Sequence, residues 1–251
     1  MIKHKFLLFI LAIFALSFSG VSWGADSDAI NVGTDGGISA FFTTYPDSDD
    51  ITINLTADIT DSVKFSNYKI TKLKITGGKK ISSSGSRVFT VDKDITLAFE
   101  SVTLFGGGVE ISEGTTEFKS VKFDSNSATN GGALEIKGGT AAFSGCEFTK
   151  NSATENGGTI YASGGKATFS DAVNFSGSTA TKNGGAIYIS DGEIEFSDAA
   201  TFGDSLLNQA TSGNGGALCV EGGNVKFSST SKFGNNKAGN GGAIFISSEG
   251  Q

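Results

Sequence analysis

The chain has 251 residues, among them 36 glycines, one proline, one histidine and two cysteines, with a formal net charge of −7. That balance argues against nucleic acid, whose binders are usually basic, and against attraction to an anionic membrane surface. So much glycine suits many short strands joined by frequent turns, not helices.

The start reads as an address. Lys3, His4 and Lys5 are basic, 6–18 is apolar but too short to span a bilayer, and Ser22 and Gly24 are small residues before a cut at Ala25. This pattern predicts a secretory signal peptide at 1–24. Its removal takes the formal charge to −9 and removes the one histidine.

Residues 25–60 read as an N-terminal cap and first strand. Ile38, Phe41, Phe42 and Tyr45 share one helical face. Thr34 or Asp35 is expected to cap this short helix and Pro46 to stop it. It would cover the open end of the first coil and blunt edge pairing. A first strand is expected at 51–55, with further strands at 72–75, 88–91, 95–99 and 109–111.

From about residue 105 one pattern recurs five times. A first Phe column is Phe118, Phe143, Phe169, Phe196 and Phe227, and a second is Phe123, Phe148, Phe175, Phe202 and Phe233. Asn126, Asn151, Asn208 and Asn236 follow the second Phe, with Ser178 and Ser205 standing where Asn is expected. Next come Ala128, Ala153, Ala180, Ala210 and Ala238. An Asn then precedes each glycine pair: Gly131-Gly132, Gly157-Gly158, Gly184-Gly185, Gly215-Gly216 and Gly241-Gly242. Successive Asn-Gly-Gly copies are 26, 27, 31 and 26 residues apart, the 31 arising from a longer turn around Leu206 and Leu207.

Three short β-like runs per copy, such as 133–136, 140–143 and 146–148, leave no room for helices between strands. The period predicts an all-β chain over 61–251: a right-handed, single-stranded parallel β-helix of about 26 residues per coil with three short strands per coil. Like residues then stack on like residues, with both Phe columns inside. One coil cannot stand alone, because ordering it costs more than its few apolar side chains return. The chain stops just after the first strand of a new coil, leaving Phe245 and Ile246 on an open edge, an aggregation liability. A truncated product is the expectation.

Cys146 falls in a core column and Cys219 in an outward one. Three coils apart, or ~14 Å at the inter-strand spacing, they are too far apart for a disulfide. Two free thiols are expected, one of them buried.

Catalysis finds little support. Arg87 is the lone arginine and has no acidic neighbour in its strand. Asp171 and Asp198 align in successive coils, and Glu193 and Glu195 point outward together, as stacked coils produce freely. Asp47, Asp49 and Asp50 beside Pro46 do not have the spacing of a calcium loop. A mature chain without histidine holds neither a Ser-His-Asp triad nor a zinc-histidine site. No cofactor and no metal site is expected. A β-helical polysaccharide lyase or hydrolase is the alternative reading, and a structural shaft or truncated remnant a further one. The candidate binding surface is the outward column of Tyr161, Tyr188 and Phe245, together with Leu206 and Leu207 in the extended turn.

The tetrapeptides Gly-Gly-Ala-Ile/Leu at 131–134, 184–187, 215–218 and 241–244, alternating with Phe-x-x-Asn at 123–126, 148–151 and 233–236, resemble the repeats of the chlamydial-type polymorphic outer membrane proteins. In this comparison Gly157-Gly158-Thr159-Ile160 departs from its tetrapeptide. The resemblance implies an autotransporter passenger at the cell surface or outer membrane, an adhesive role in virulence, and a host-cell protein or glycan as partner. The resemblance also implies a C-terminal β-barrel translocator, which is expected to lie outside these 251 residues.

Overall fold

Alternation of apolar and polar residues with a period of two sends every second side chain inward, and the coil period then lays those side chains on one another. The computed structural model, which describes residues 21–23, 29–47, 50–83, 85 and 87–247, is an all-β parallel solenoid of about 8 turns with one short helix near its N-terminus. Its strands form sheets of 16, 8 and 5 strands.

The runs expected as separate first and second strands belong to the same large sheet. Ile160–Phe169 and Ile187–Phe196 pass unbroken through the bend between them. The second sheet carries the second Phe column, for example Lys122–Asp124 paired with Glu147–Thr149. The third sheet was not anticipated. It is built from two- and three-residue strands at the Ala column, from Ser127–Ala128 to Asn236–Lys237. Strands this short leave no alternation to read.

Both Phe columns are indoors. Phe143 stacks on Phe118 at 4.8 Å and on Phe169 at 4.5 Å between ring centroids. Phe148 stacks on Phe123 at 4.7 Å and on Phe175 at 4.8 Å. These separations equal the spacing of neighbouring strands, so coil pitch and ring stacking satisfy each other, and each stacked pair adds ~0.5–1.5 kcal/mol beyond area burial. The two columns also meet edge to face, as Phe148 does with Phe169. Phe99 extends the first column downward, and Leu104, Ile81 and Ile59 extend the second. The early coils therefore keep the geometry without the motif, on strands such as Lys80–Ser82 and Thr103–Phe105.

The glycine pair serves two ends. Gly184 has φ 63°, a conformation L side chains rarely adopt. At Gly185, a Cβ would lie 2.1 Å from the carbonyl oxygen of Gly216 in the next coil. The corner packs backbone against backbone, and no side chain fits.

At the corner between the second and third sheets, buried asparagines form a ladder. The Asn126 side chain donates to Leu104 O at 2.9 Å and to Asn151 Oδ1 at 3.0 Å. Asn151 donates to Phe123 O, Asn208 to Phe175 O and Asn236 Oδ1, and Asn236 to Phe202 O. Asn208 thus serves the longer copy as its position suggests. Ser178 interrupts the ladder, and its hydroxyl lies 2.6 Å from that of Thr159, both residues fully buried.

The helix, α1 (Gly37–Thr44), forms where its apolar face predicts, with Ile38, Phe41 and Phe42 buried. Phe42 meets Phe65 and Tyr68. Its cap corrects the expectation. Gly36 occupies the capping position in the left-handed region, and Asp61 Oδ2 accepts from the N–H groups of Ile38 and Ser39 at 2.8 and 3.0 Å. Asp35 instead accepts from Thr60 N. The strand at Ile51–Leu55 is not the first. Ala29–Val32 pairs with it in parallel, burying Ile30 and Val32, and Val21–Trp23 pairs antiparallel with Ala29–Val32.

Candidate functional site

Register sets the outward aromatic column. Glu135, Tyr161, Tyr188, Cys219 and Phe245 lie opposite one another on the first strand of consecutive coils. The rings of Tyr161 and Tyr188 stack at 5.4 Å, 14° from parallel. The Tyr188 hydroxyl donates to Glu221 Oε2 at 2.7 Å, and the Asn183 amide donates to Glu221 Oε1 at 3.3 Å. These contacts correct the picture of an exposed column. Tyr188 is only 8% exposed and Cys219 is fully covered. Both thiols are therefore buried and free, not one. Burial, then the Glu221 carboxylate, pushes the Tyr188 phenol up, and the same two causes push the Cys219 thiol up to about 12. Tyr161 and Phe245 stay half-exposed.

The extended turn behaves otherwise. Leu206 and Leu207 are 40% and 41% exposed. The turn is fixed at its base, since Leu206 N donates to Ser176 Oγ at 3.2 Å and the Leu206 side chain lies close over Gly177. The two halves of the candidate surface do not meet. Tyr161 stands on the outer side of the large sheet, and the leucines project at the corner between the second and third sheets. Ile244 and Ile246, on the last described strand, are exposed as well.

Arg87 is not isolated, as its sequence neighbours suggest, but spans several coils. It donates to Gly131 O at 2.7 Å and Asn130 O at 2.6 Å, and pairs with Glu135 at 2.9 Å. Lys137 joins Glu135 to Glu110. A cleft of about 210 Å³ opens beside this cluster where the third sheet begins. The guanidinium is already engaged by carbonyls and a carboxylate, which makes it a clamp on the coil corners.

The aligned acids are held by neighbours. Lys166 bridges Glu193 at 3.1 Å and Glu195 at 3.4 Å, and Lys226 reaches Glu195 at 2.9 Å. The Lys226 hydrogen bond and charge hold the Glu195 carboxyl below the usual range. Asp171 accepts from Ser144 Oγ, and Asp198 from Ala199 N. Asp47 pairs with Lys69 and Asp50 with Lys72, while Asp49 lies outside the described residues. Among the described residues no group of three or more His, Cys, Asp or Glu side chains is placed to hold a metal ion. Nor is any helix there long and apolar enough to cross a membrane, which leaves β-barrels unaddressed.

Compared with curated proteins and with solved structures, the chain has no match. Residues 145–163 match the family model of the Chlamydia polymorphic membrane protein (Chlamydia_PMP) repeat. The matched stretch runs from the turn before Phe148, through Phe148-x-x-Asn151, to the strand after Gly157-Gly158, so it contains one Asn-ladder corner and one glycine corner of the solenoid. Residues 145–163 thus match one copy of the polymorphic membrane protein repeat, and equivalent Phe, Ala and glycine-pair positions recur in the coils stacked on either side.

Proposed function

We propose that this is a cell-surface, adhesin-like repeat protein whose β-helix holds a small apolar docking turn out from an otherwise satisfied shaft. The family name speaks of membrane proteins, and a surface location is taken from it. In this reading 1–24 is a leader removed on export, 25–60 the N-terminal cap with the first strands and 61–251 the shaft, and a host-cell or matrix component is the partner. The observation that carries it is the contrast between Leu206 and Leu207, exposed on a turn anchored at Ser176, and the large apolar repeat residues of the coils before the last described strand, which are buried or partly covered. Tyr161 and Phe245 supply a second, weaker patch, and Tyr188 belongs to the scaffold. The carboxylates aligned along the coils are engaged in ion pairs and backbone contacts, which supports binding without catalysis.

The test is binding of the fluorescently labelled chain to epithelial cell layers and to immobilised matrix proteins. Burying a leucine side chain contributes ~1.5–3 kcal/mol. Leu206→Ser with Leu207→Ser should therefore weaken binding at least tenfold while circular dichroism stays unchanged. Binding that survives both substitutions, or no binding to any of these surfaces, overturns the assignment. Release of reducing or unsaturated sugars from a polysaccharide panel would instead favour the enzymatic reading.

A further inference from the structure

Along the third sheet, each coil hangs its N–H groups on the coil below. Thr154 N, Thr181 N and Thr211 N donate to Ala128 O, Ala153 O and Ala180 O at 2.8–3.2 Å. Asn156 N, Asn183 N and Asn214 N donate to Oδ1 of Asn130, Asn156 and Asn183 at 2.9–3.1 Å.

The lowest copy of this side has no equivalent beneath it. Its coil passes from Lys122–Asp124 to Leu134–Ile136 by way of Ser127–Ala128. The coil below crosses from Thr103–Phe105 to Val109–Ile111 through Gly106, Gly107 and Gly108 alone. Ser127 N still reaches Gly106 O at 2.8 Å. Thr129 N and Asn130 N, the counterparts of Thr154 N and Asn156 N, have no hydrogen-bond partner among the described residues. This step leaves the cleft of about 210 Å³, lined by Arg87, Gly107, Ser127, Thr129 and Glu135 among others.

Hydrogen-bonding capacity around the cleft is lopsided. The carbonyls of Gly107, Asn130 and Gly131 accept from Arg87, and the Glu135 carboxylate is paired with both Arg87 and Lys137. Donors are what is left over. Among the described residues the Ser127 and Thr129 hydroxyls have no partner, and neither does Arg87 Nε, since the guanidinium bonds only through its two terminal nitrogens. Arg87 and Lys137 also offset the charges of Glu135 and Glu110. Successive backbone N–H groups beside a guanidinium suit a ligand group that brings acceptors and negative charge.

We propose that this ledge is an oxyanion-binding site, taking a carboxylate or phosphate group of a ligand. Thr129 N–H and the Ser127 and Thr129 hydroxyls hold it, Asn130 N–H stands beside them, and Arg87 supplies the charge. The site occurs once because the solenoid gains its third side once. It shares no residue with the leucine turn and does not depend on that turn's role.

The experiment titrates the isotope-labelled chain with inorganic phosphate and, separately, with acetate, each against sodium chloride at equal ionic strength, and follows the backbone amide resonances. With at least one of the two anions, Thr129 and Asn130 should shift along a one-site curve that saturates in the millimolar range. Thr154, Asn156, Thr181 and Asn183, whose N–H groups already donate to the coil below, should stay still. Phosphate and acetate together separate a tetrahedral from a planar preference. Thr129→Pro removes a donor that the fold does not use and should weaken binding about tenfold. Ser127→Ala, at an exposed position, should weaken it a few-fold and serves alone if the proline variant does not fold. No saturable shift with either anion, equal shifts at Thr154 and Asn156, or parental affinity in a folded variant overturns the proposal.

Discussion

Ser178 and Thr159 each break the repeat pattern, and the structure shows the two departures touching. Three other copies have an Asn at the corner and an Ala before the first strand of the preceding coil: Asn151 with Ala133, Asn208 with Ala186 and Asn236 with Ala217, while Asn126 has Gly108 there. Here a smaller corner residue faces a larger strand residue, and their hydroxyls lie 2.6 Å apart, both residues fully buried. Thr159→Ala leaves the Ser178 hydroxyl buried without that partner, at a cost of ~1–3 kcal/mol. Ser178→Asn drives an amide into the space that Thr159 fills, an overpacking cost of ~1–3 kcal/mol. Made together, the two changes should rejoin the ladder. By analogy with Asn208, an Asn at 178 would donate to Phe148 O and accept from Asn151. One hydrogen bond is lost and two or three form, so the double variant should exceed the parent by ~1–2 kcal/mol. Urea unfolding of the four proteins, compared at constant m, gives the coupling energy. Two destabilising single variants and a stabilised double variant are expected. A coupling below ~0.5 kcal/mol, with effects that simply add, would refute the argument that the substitutions compensate each other.

Phe169→Ala removes a ring stacked on Phe143 and Phe196 and edge-on to Phe148 and Phe175. A loss of ~3–5 kcal/mol is expected in the same urea assay. Asp61→Ala uncaps α1 from a distance and should cost ~1–2 kcal/mol, with amide exchange rising first at Ile38 and Ser39. Gly185→Ala puts a methyl 2.1 Å from Gly216 O, against backbone that cannot yield, and should cost at least ~1–3 kcal/mol. Alkaline pH gives a further check. Burial pushes the Cys146 thiol up to about 11. The folded state thus prefers the protonated thiol. Its contribution is fully present below an ordinary thiol pKa of ~8.5 and is lost as pH rises toward 11. Stability should fall across that window, less steeply in Cys146→Val, and neither thiol should be alkylated at neutral pH until the chain unfolds.

The period of the repeat was legible because every coil writes it again. The Phe columns, the aliphatic first strand, the glycine corners and the asparagine ladder each recur at the coil spacing, and contacts between equivalent residues follow from that spacing alone. α1 was legible for a different reason, since its apolar face is local. What the sequence hid are contacts between unlike columns. Asp61 caps a helix 23 residues earlier, Thr159 meets Ser178 at 19, Tyr188 meets Glu221 at 33 and Arg87 meets Glu135 at 48. The last three separations are not whole numbers of coils, and the first, although it equals the 23-residue step from Ala29–Val32 to Ile51–Leu55, joins a helix to a loop that share no repeat pattern, so no periodic signal announces them. They depend on where each corner turns and how far each side chain reaches. That is why inward and outward facing could be assigned from alternation, whereas the burial of Tyr188 and Cys219, covered from the side by Glu221 and Asn183, was decided only by packing in three dimensions.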